Sequence, residues 1–391
     1  LKKISKIALI TAMAMSLTGC WNRRELNTLG IVMGVGIDEG VKLGNIKVTA
    51  QLVDTNNMES AAKTGDSQGS AYINLTQEGK DIMSIFRGFT HEISRKLYIP
   101  HNQIIIFGED MAEQGVHDVL DFFMRDHESR LTVNVFVAKG KAADILKCSP
   151  QFSKIPAIDI GQLVEAQGAT SETATVNLFE FMGCLASKTR DVLAPMVELK
   201  DQNGKMVAYV SGGAVFKEDK MVGQLDKDQT RAFLWVMGKV KSGIVVDEIK
   251  AETVTLEIMK ASSDVKVELG DDGSITAKIK IKQLSSIASQ TGAENLGSKE
   301  NLELVKSETE KIIKEQIEAV VKKSQELGTD IFGFGEKIHQ TNPKAWKTLE
   351  GEWDSLYKTM KVEVEANVKI VGMGRLSKPD YPEPKEKEQG K

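Results

Sequence analysis

The sequence predicts an α+β protein of more than one domain, with antiparallel and mixed sheets packed on helices, a C-terminal meander and one long amphipathic helix. Three observations predict it. Between Ala71 and Lys139 short apolar runs alternate with helical faces; beyond residue 205 apolar residues recur at every second position over several segments; from Leu302 to Leu327 they recur at helical spacing. At 391 residues the chain is longer than one hydrophobic core usually organises, which points to two or three domains.

The chain opens with Lys2, Lys3 and Lys6, then an apolar run from Ile7 to Leu17, then Leu17-Thr18-Gly19-Cys20. These are the basic and apolar regions of a secretory signal, too short for a membrane span of ~20 residues, and they end in a sequence that resembles a bacterial lipobox. Gly19 gives a membrane peptidase access to the bond before Cys20, whose thiol can carry a diacylglyceryl group. Residues 1–19 are therefore expected to be removed and Cys20 to become the lipidated first residue. The exposed residues beside that anchor, Arg23, Arg24 and Glu25, are candidates for partner contact because the lipid holds them near the membrane surface.

After the polar stretch Trp21 to Asn27, Leu29 to Ile37 reads as a strand; Asp38-Glu39-Gly40 supplies a turn, and Asn45 to Val53 alternates, so a β-hairpin is expected. Thr55 to Ser70 is small and polar, an exposed loop. Ala71 to Leu75 is a strand, Ile82, Ile85, Phe86, Phe89 and Ile93 share a helical face, and Gln103 to Phe107 is a near-continuous apolar strand. A helix with Val116, Val119, Leu120 and Phe123 inward follows, then Leu131 to Val137 alternates as a half-buried strand. Further on come a short helix to Leu146, helices near Gly161 and Leu178, and a strand near Pro195.

Asp201-Gln202-Asn203-Gly204 is the clearest internal boundary, giving an N-terminal α+β region over 20–200 and a C-terminal α+β domain over 205–374. In the latter, Ala214 to Phe216 and Met221 to Leu225 pair around Glu218-Asp219. Val254 to Ile258, Val265 to Leu269 and Ile275 to Ile281 read as successive strands of an antiparallel meander with one face in water. The long helix stops at Gly328, and Asn342-Pro343 starts another that carries Trp346. Val362 to Ile370 completes the meander's sheet, and 375–391, rich in Pro and alternating charge, is expected to be disordered.

Composition and motifs exclude several function classes. Without the signal, 48 basic residues face 55 acidic ones, a charge near −7 that argues against nucleic acid as a partner. With Cys20 lipidated, only Cys148 and Cys184 remain, too few for a disulfide framework. Gly65-Asp66-Ser67-Gln68-Gly69 spells a nucleophile elbow but sits in a polar loop without the strand and helix that would present the serine. His91-Glu92 begins like a zincin helix, but Arg95 stands where the second imidazole belongs. Gly34-Val35-Gly36 lacks the third glycine and the helix of a dinucleotide loop, so its glycines are expected to permit close strand packing. His101, His117 and His127 have no metal-ligand spacing, and no catalytic residue, metal site or cofactor is expected.

Cys20-Trp21-Asn22-Arg23-Arg24-Glu25-Leu26-Asn27 followed by Gly34-Val35-Gly36-Ile37-Asp38 resembles the start of the Ger(x)C family of spore-germination lipoproteins. The likeness continues in order through Arg95-Lys96-Leu97-Tyr98 with His101, Gly108-Glu109-Asp110, Arg125-Asp126, Gly213-Ala214-Val215-Phe216-Lys217, Asp330-Ile331-Phe332-Gly333-Phe334-Gly335 and the pair Trp346 and Trp353. Asn22 stands where the family commonly has aspartate. The resemblance implies the C subunit of a nutrient germinant receptor, partnered by two membrane-embedded subunits (A-type and B-type) and lipid-anchored on the outer face of the inner membrane of a spore. It implies no enzyme. Two other classes compete: a substrate-binding lipoprotein of a membrane transporter would need two similar α/β lobes, and a lipid-tethered wall enzyme would need a catalytic constellation.

Overall fold

A computed structural model of the chain describes residues 4, 28–55, 57, 70–249, 252–291 and 298–372. Within them lie thirteen strands: β1 (Leu29–Glu39), β2 (Ile46–Val53), β3 (Tyr72–Gly79), β4 (Lys96–Tyr98), β5 (Ile104–Phe107), β6 (Asn134–Ala138), β7 (Leu193–Gln202), β8 (Lys205–Lys217), β9 (Lys220–Leu225), β10 (Gly243–Ile249), β11 (Glu252–Leu269), β12 (Ile275–Gln290) and β13 (Lys361–Ile370). The helices are α1 (Ile82–Gly88), α2 (Glu109–Gln114), α3 (His117–Arg125), α4 (Ala142–Ile145), α5 (Pro156–Ala166), α6 (Leu178–Leu185), α7 (Lys227–Val236), α8 (Lys299–Leu327), α9 (Phe334–Thr341), α10 (Pro343–Leu349) and α11 (Trp353–Thr359). The architecture is α+β, with two sheets.

The first sheet runs β3-β2-β1-β5-β6-β7-β8-β9, with β4 added to the start of β1. It is mixed: β1, β5, β6 and β7 are parallel in its middle, and antiparallel hairpins flank them. The expected hairpin is β1 and β2, in register from Val32 opposite Leu52 to Glu39 opposite Ile46. Val35, Ile37, Ile105, Val135 and Val137 face one apolar layer with α1, α3 and α6; Ile104, Ile106, Phe136 and Ala138 face another under α4 and α5. The segment expected to be a half-buried strand over Leu131 to Val137 is therefore a shorter strand covered on both faces, the usual environment of central parallel strands. Gly34 and Gly36 make room for helices rather than for neighbouring strands: a Cβ at Gly34 would stand 2.7 Å from that of Ala157, and one at Gly36 would stand 3.0 Å from Leu146 Cδ1. Asp38, expected as a turn residue, is buried and accepts the backbone N–H groups of Ala142 and Ala143 at 2.7 and 3.0 Å, capping α4 from across the sheet.

The Asp201-Gln202-Asn203-Gly204 cluster closes the β7–β8 hairpin. Gln202 pairs with Lys205, and Asn203 and Gly204 take φ of 56° and 80°, the left-handed pair that an Asn-Gly turn supplies. β8 and β9 thus lie beyond residue 205 yet belong to the first sheet, and the chain leaves that sheet only after Leu225. The second sheet runs β10-β11-β12-β13. The segments expected as two strands, Val254 to Ile258 and Val265 to Leu269, are one strand of 18 residues. Inward-facing positions shift from even to odd numbers across an irregularity between Ile258 and Lys260, a bulge that looks in sequence like a strand break. β13 does complete this sheet, but parallel to β12, so a crossover must precede it. That crossover begins with α8, capped by Ser298 and ended by Gly328 at φ 68°. Val305, Ile313, Ile317, Val320 and Val321 of α8 are buried against the sheet, with Ile312 at the margin.

Candidate functional site at the joint of the two sheets

Where α8 ends, the chain turns through Asp330-Ile331-Phe332-Gly333 into α9 and meets the lead into β7. The contact is backbone to backbone: Asp191 N–H donates to Asp330 O at 3.0 Å, and Glu336 N–H to Thr189 O at 3.1 Å. Asp330 N–H donates in turn to Asp191 Oδ2 at 2.7 Å. Lys217, the last residue of β8, places Nζ 3.4 Å from Asp191 Oδ2 and 2.7 Å from Asp354 Oδ1 on α11. The two sheets are joined here by three hydrogen bonds, two of them reciprocal between Asp191 and Asp330, and by one shared ammonium.

Behind that seam the Asp330 side chain is fully enclosed. Its Oδ1 accepts the N–H of Phe334 at 3.0 Å, and its Oδ2 accepts the N–H of Gly335 at 2.8 Å and the indole N–H of Trp353 at 3.2 Å. Burial pushes its carboxyl up to about 7, against the three N–H donors and with the neighbouring Asp191 charge adding to the rise. Burial also raises Asp191, with Lys217 opposing. Aromatic rings pack in sequence around the carboxyl: Phe233 to Phe332 at 5.7 Å, Phe332 to Phe334 at 5.4 Å, Phe334 to Tyr357 at 6.3 Å, Tyr357 to Trp353 at 6.1 Å and Trp353 to Trp346 at 5.4 Å. Tyr357 Oη lies 2.6 Å from Ser324 Oγ of α8, so the end of the helix is bonded into the same network. Gly335 has to be glycine, because a Cβ there would meet the Trp346 ring at 2.8 Å and Trp353 Nε1 at 2.9 Å.

A cleft of about 720 Å³ opens over the seam, bordered by Cys184, Arg190, Asp191, Lys217 and Asp354. Arg190 donates to Cys184 Sγ at 2.9 Å and lies 3.6 Å from Glu336, while burial keeps the Cys184 thiol above its ordinary value and hence protonated. With Asp330's oxygens occupied by N–H donors, what the arrangement does is hold two bodies in one relative position. Cys148 and Cys184 are both buried and free, in separate apolar layers. Among the described residues no three His, Cys, Asp or Glu side chains stand together as a metal site.

Of the sequence-predicted site residues, Cys20, Arg23, Arg24 and Glu25 lie outside the described residues. Of the other family fragments, one set converges at the joint and the rest lie at separate places along the first sheet and its helices. Gly213 to Lys217, Asp330 to Gly335, Trp346 and Trp353 converge at the joint. Lys96 to Tyr98, directly after Arg95, form β4 beside Leu29–Ile31, and Gly108-Glu109 starts α2, where Glu109 accepts from Gly140 N–H at 3.0 Å and Gln224 Nε2 at 2.8 Å. Asp191 and Asp354, which complete the joint, carried no sequence signal; they stand alone in polar stretches. α7 was also unread, although Asp226 and Gln229 form a capping box that the sequence does spell.

Two family models match in order: the spore germination protein N-terminal domain over residues 22–199, and the spore germination B3/GerAC-like C-terminal domain over 211–374. The chain belongs to the Ger(x)C family of spore germination proteins. Similar family members include the Bacillus subtilis (strain 168) spore germination protein YndF, 27% identical over 96% of this chain and 98% of its own. Spore germination protein B3 of the same organism is 26% identical over 97% and 100% of the two chains, and spore germination protein KC is 25% identical over 96% and 98%. The crystal structure of the GerBC protein shares the fold, with a TM-score of 0.58 at 23% identity over 86% of this chain and 97% of that one. The two family models meet across the β7–β8 hairpin, so each family half contributes strands to the first sheet.

Proposed function

We propose that this chain is the lipid-anchored C subunit of a spore nutrient germinant receptor. It sits through Cys20 on the outer face of the spore's inner membrane and acts as a binding scaffold for the two membrane-embedded subunits, not as a catalyst. The observation that carries this reading is the pair of family models matched in order over nearly the whole chain, beginning at residue 22 directly behind the lipobox cysteine. No helix among the described residues is long and apolar enough to cross a membrane, and a diacyl group on Cys20 would supply firm attachment where one acyl chain, at ~10⁴ M⁻¹, would not. The joint supports a scaffold role, since its polar groups are spent on one another.

Arg23, Arg24 and Glu25 are placed for contact with the membrane subunits, being three to five residues from the anchor. Replacing all three with serine, lipobox intact, should weaken nutrient-triggered germination and leave membrane attachment unchanged. Normal germination with intact co-purification would move the contact elsewhere, and turnover of a wall or nutrient substrate by the purified protein would end the scaffold reading.

A further inference from the structure

The continuous described chain leading into the first sheet starts at Thr28, and β1 enters that sheet at Leu29, beside Lys96 of β4. β1, β5 and β6 are parallel, so one end of that sheet gathers the starts of all three and the loops that feed them. The same end receives the start of α6, where Leu178 and Phe179 N–H groups donate to Val133 and Leu131 carbonyls at 2.8 and 3.0 Å. It also receives the turn after α7, because Lys239 and Lys241 line one groove with Thr132 and Asn134.

This end carries exposed apolar side chains beside exposed cations. Phe179 is 62% exposed and Leu131, adjacent to it, 39%. Around them Arg130, Lys239 and Lys241 are exposed, as is Lys96, which is paired with Glu128; the exposed acids there are Glu165 and Glu180. A ring and an aliphatic chain that reach water, with basic residues about them, suit the head-group region of an anionic bilayer.

Chain length decides which end faces the membrane. The eight residues from 21 to 28 span at most about 30 Å when fully extended, while the sheet rises about 33 Å along β1. The most exposed apolar residues on the loops of this sheet, Val41, Leu43 and Phe152, sit toward the far end of β1 and on the connection that meets the β7–β8 tip, at the limit of that tether, while Ile73 on β3, Met206 and Tyr209 on β8 and Val222 on β9 are exposed to a lesser degree. We propose that the end bearing Phe179, Leu131, Arg130, Lys239 and Lys241 rests on the membrane and binds anionic phospholipid head groups, holding the molecule upright on its anchor. The proposal rests on the reading that Cys20 is acylated.

The test uses the mature chain from residue 20 with Cys20→Ala, so that no lipid supplies the binding. Sedimentation is measured with vesicles of phosphatidylcholine alone and of equal parts phosphatidylcholine and phosphatidylglycerol. The protein should bind the anionic vesicles, less so as salt rises. The combined variant Phe179→Ser, Arg130→Glu, Lys239→Glu, Lys241→Glu should lose binding by at least about tenfold. Phe179→Leu with Lys239→Arg and Lys241→Arg should retain it, and so should Val41→Ser, Leu43→Ser, Phe152→Ser. Absence of binding to anionic vesicles, undiminished binding by the combined variant, or loss on changing the far end would overturn the proposal. So would a combined variant that keeps vesicle binding but no longer co-purifies with membrane subunits, since this face would then meet protein. The mass of Cys20 in protein from spore membranes tests acylation separately, so failure of the anchor and failure of the surface are read by different measurements.

Discussion

Asp330 concentrates the energetics of the joint in one side chain. Asp330→Ala would leave three buried N–H groups without an acceptor, a loss of about 3 kcal/mol or more, since each such group costs about 1–3 kcal/mol. A urea titration should show the lowered midpoint; a midpoint equal to wild type would mean that the joint opens without cost. The raised carboxyl also fixes the sign of a pH effect. The folded state keeps a proton on Asp330 between its ordinary value of 3.8 and about 7, whereas the unfolded chain has lost it. Stability therefore falls as pH rises through that window and is level above it, by at most about 1.4 kcal/mol per pH unit. Asp191, also raised, acts in the same direction. The carboxylates held below their ordinary values, such as Asp81 and Asp159, lose their contribution only at lower pH. Unfolding midpoints should be higher at pH 5 than at pH 7.5; the reverse order would show Asp330 ionised throughout. Gly335→Ala tests the other constraint here: its Cβ would press on Trp346 and Trp353, costing about 1–3 kcal/mol, and a neutral result would show that the indoles can yield.

At the scale of elements, periodicity located most helices and strands, and failed where packing overrode it. The long helix α8 was legible because its apolar residues repeat at helical spacing and Gly328 follows them. β11 was read as two strands because a bulge changes which face its odd residues take, and no residue type announces a bulge. β6 reads as half-buried because Leu131, Val133, Val135 and Val137 alternate with Thr132, Asn134 and Phe136; only the packing shows that helices cover both its faces. α7 was missed although its capping box was in plain view. That helix spans both sheets: Arg231 is ion-paired with Glu172, and Trp235 Nε1 donates to Gln283 Oε1 on β12 at 2.9 Å. Asp226→Ala should cost about 1 kcal/mol, read as a lower thermal midpoint, with Asp226→Ser nearly neutral. Equal losses from both would mean that the aspartate's charge, not its cap, matters.

For the whole molecule, the α+β class could be read from the sequence, but the way the two sheets interlock could not. The turn at Asn203-Gly204 looked like a boundary and is a hairpin that carries the chain from one family half into the other within a single sheet. The joint was visible in sequence only as disconnected fragments, Gly213 to Lys217 and Asp330 to Gly335; Asp191, more than a hundred residues from Asp330, is bonded to it only because the fold brings α8's end to the start of β7. Cys20→Ala should release the protein from spore membranes, and recovery of a cleaved variant still bound would point to its partners holding it. The central claim, that this chain is a receptor subunit, is tested most directly by affinity purification of the tagged full-length protein from detergent-solubilised spore membranes, followed by identification of what is retained. Two different membrane-embedded germination subunits in constant proportion to the chain are predicted; recovery of the chain alone, or with a transport permease, would contradict it.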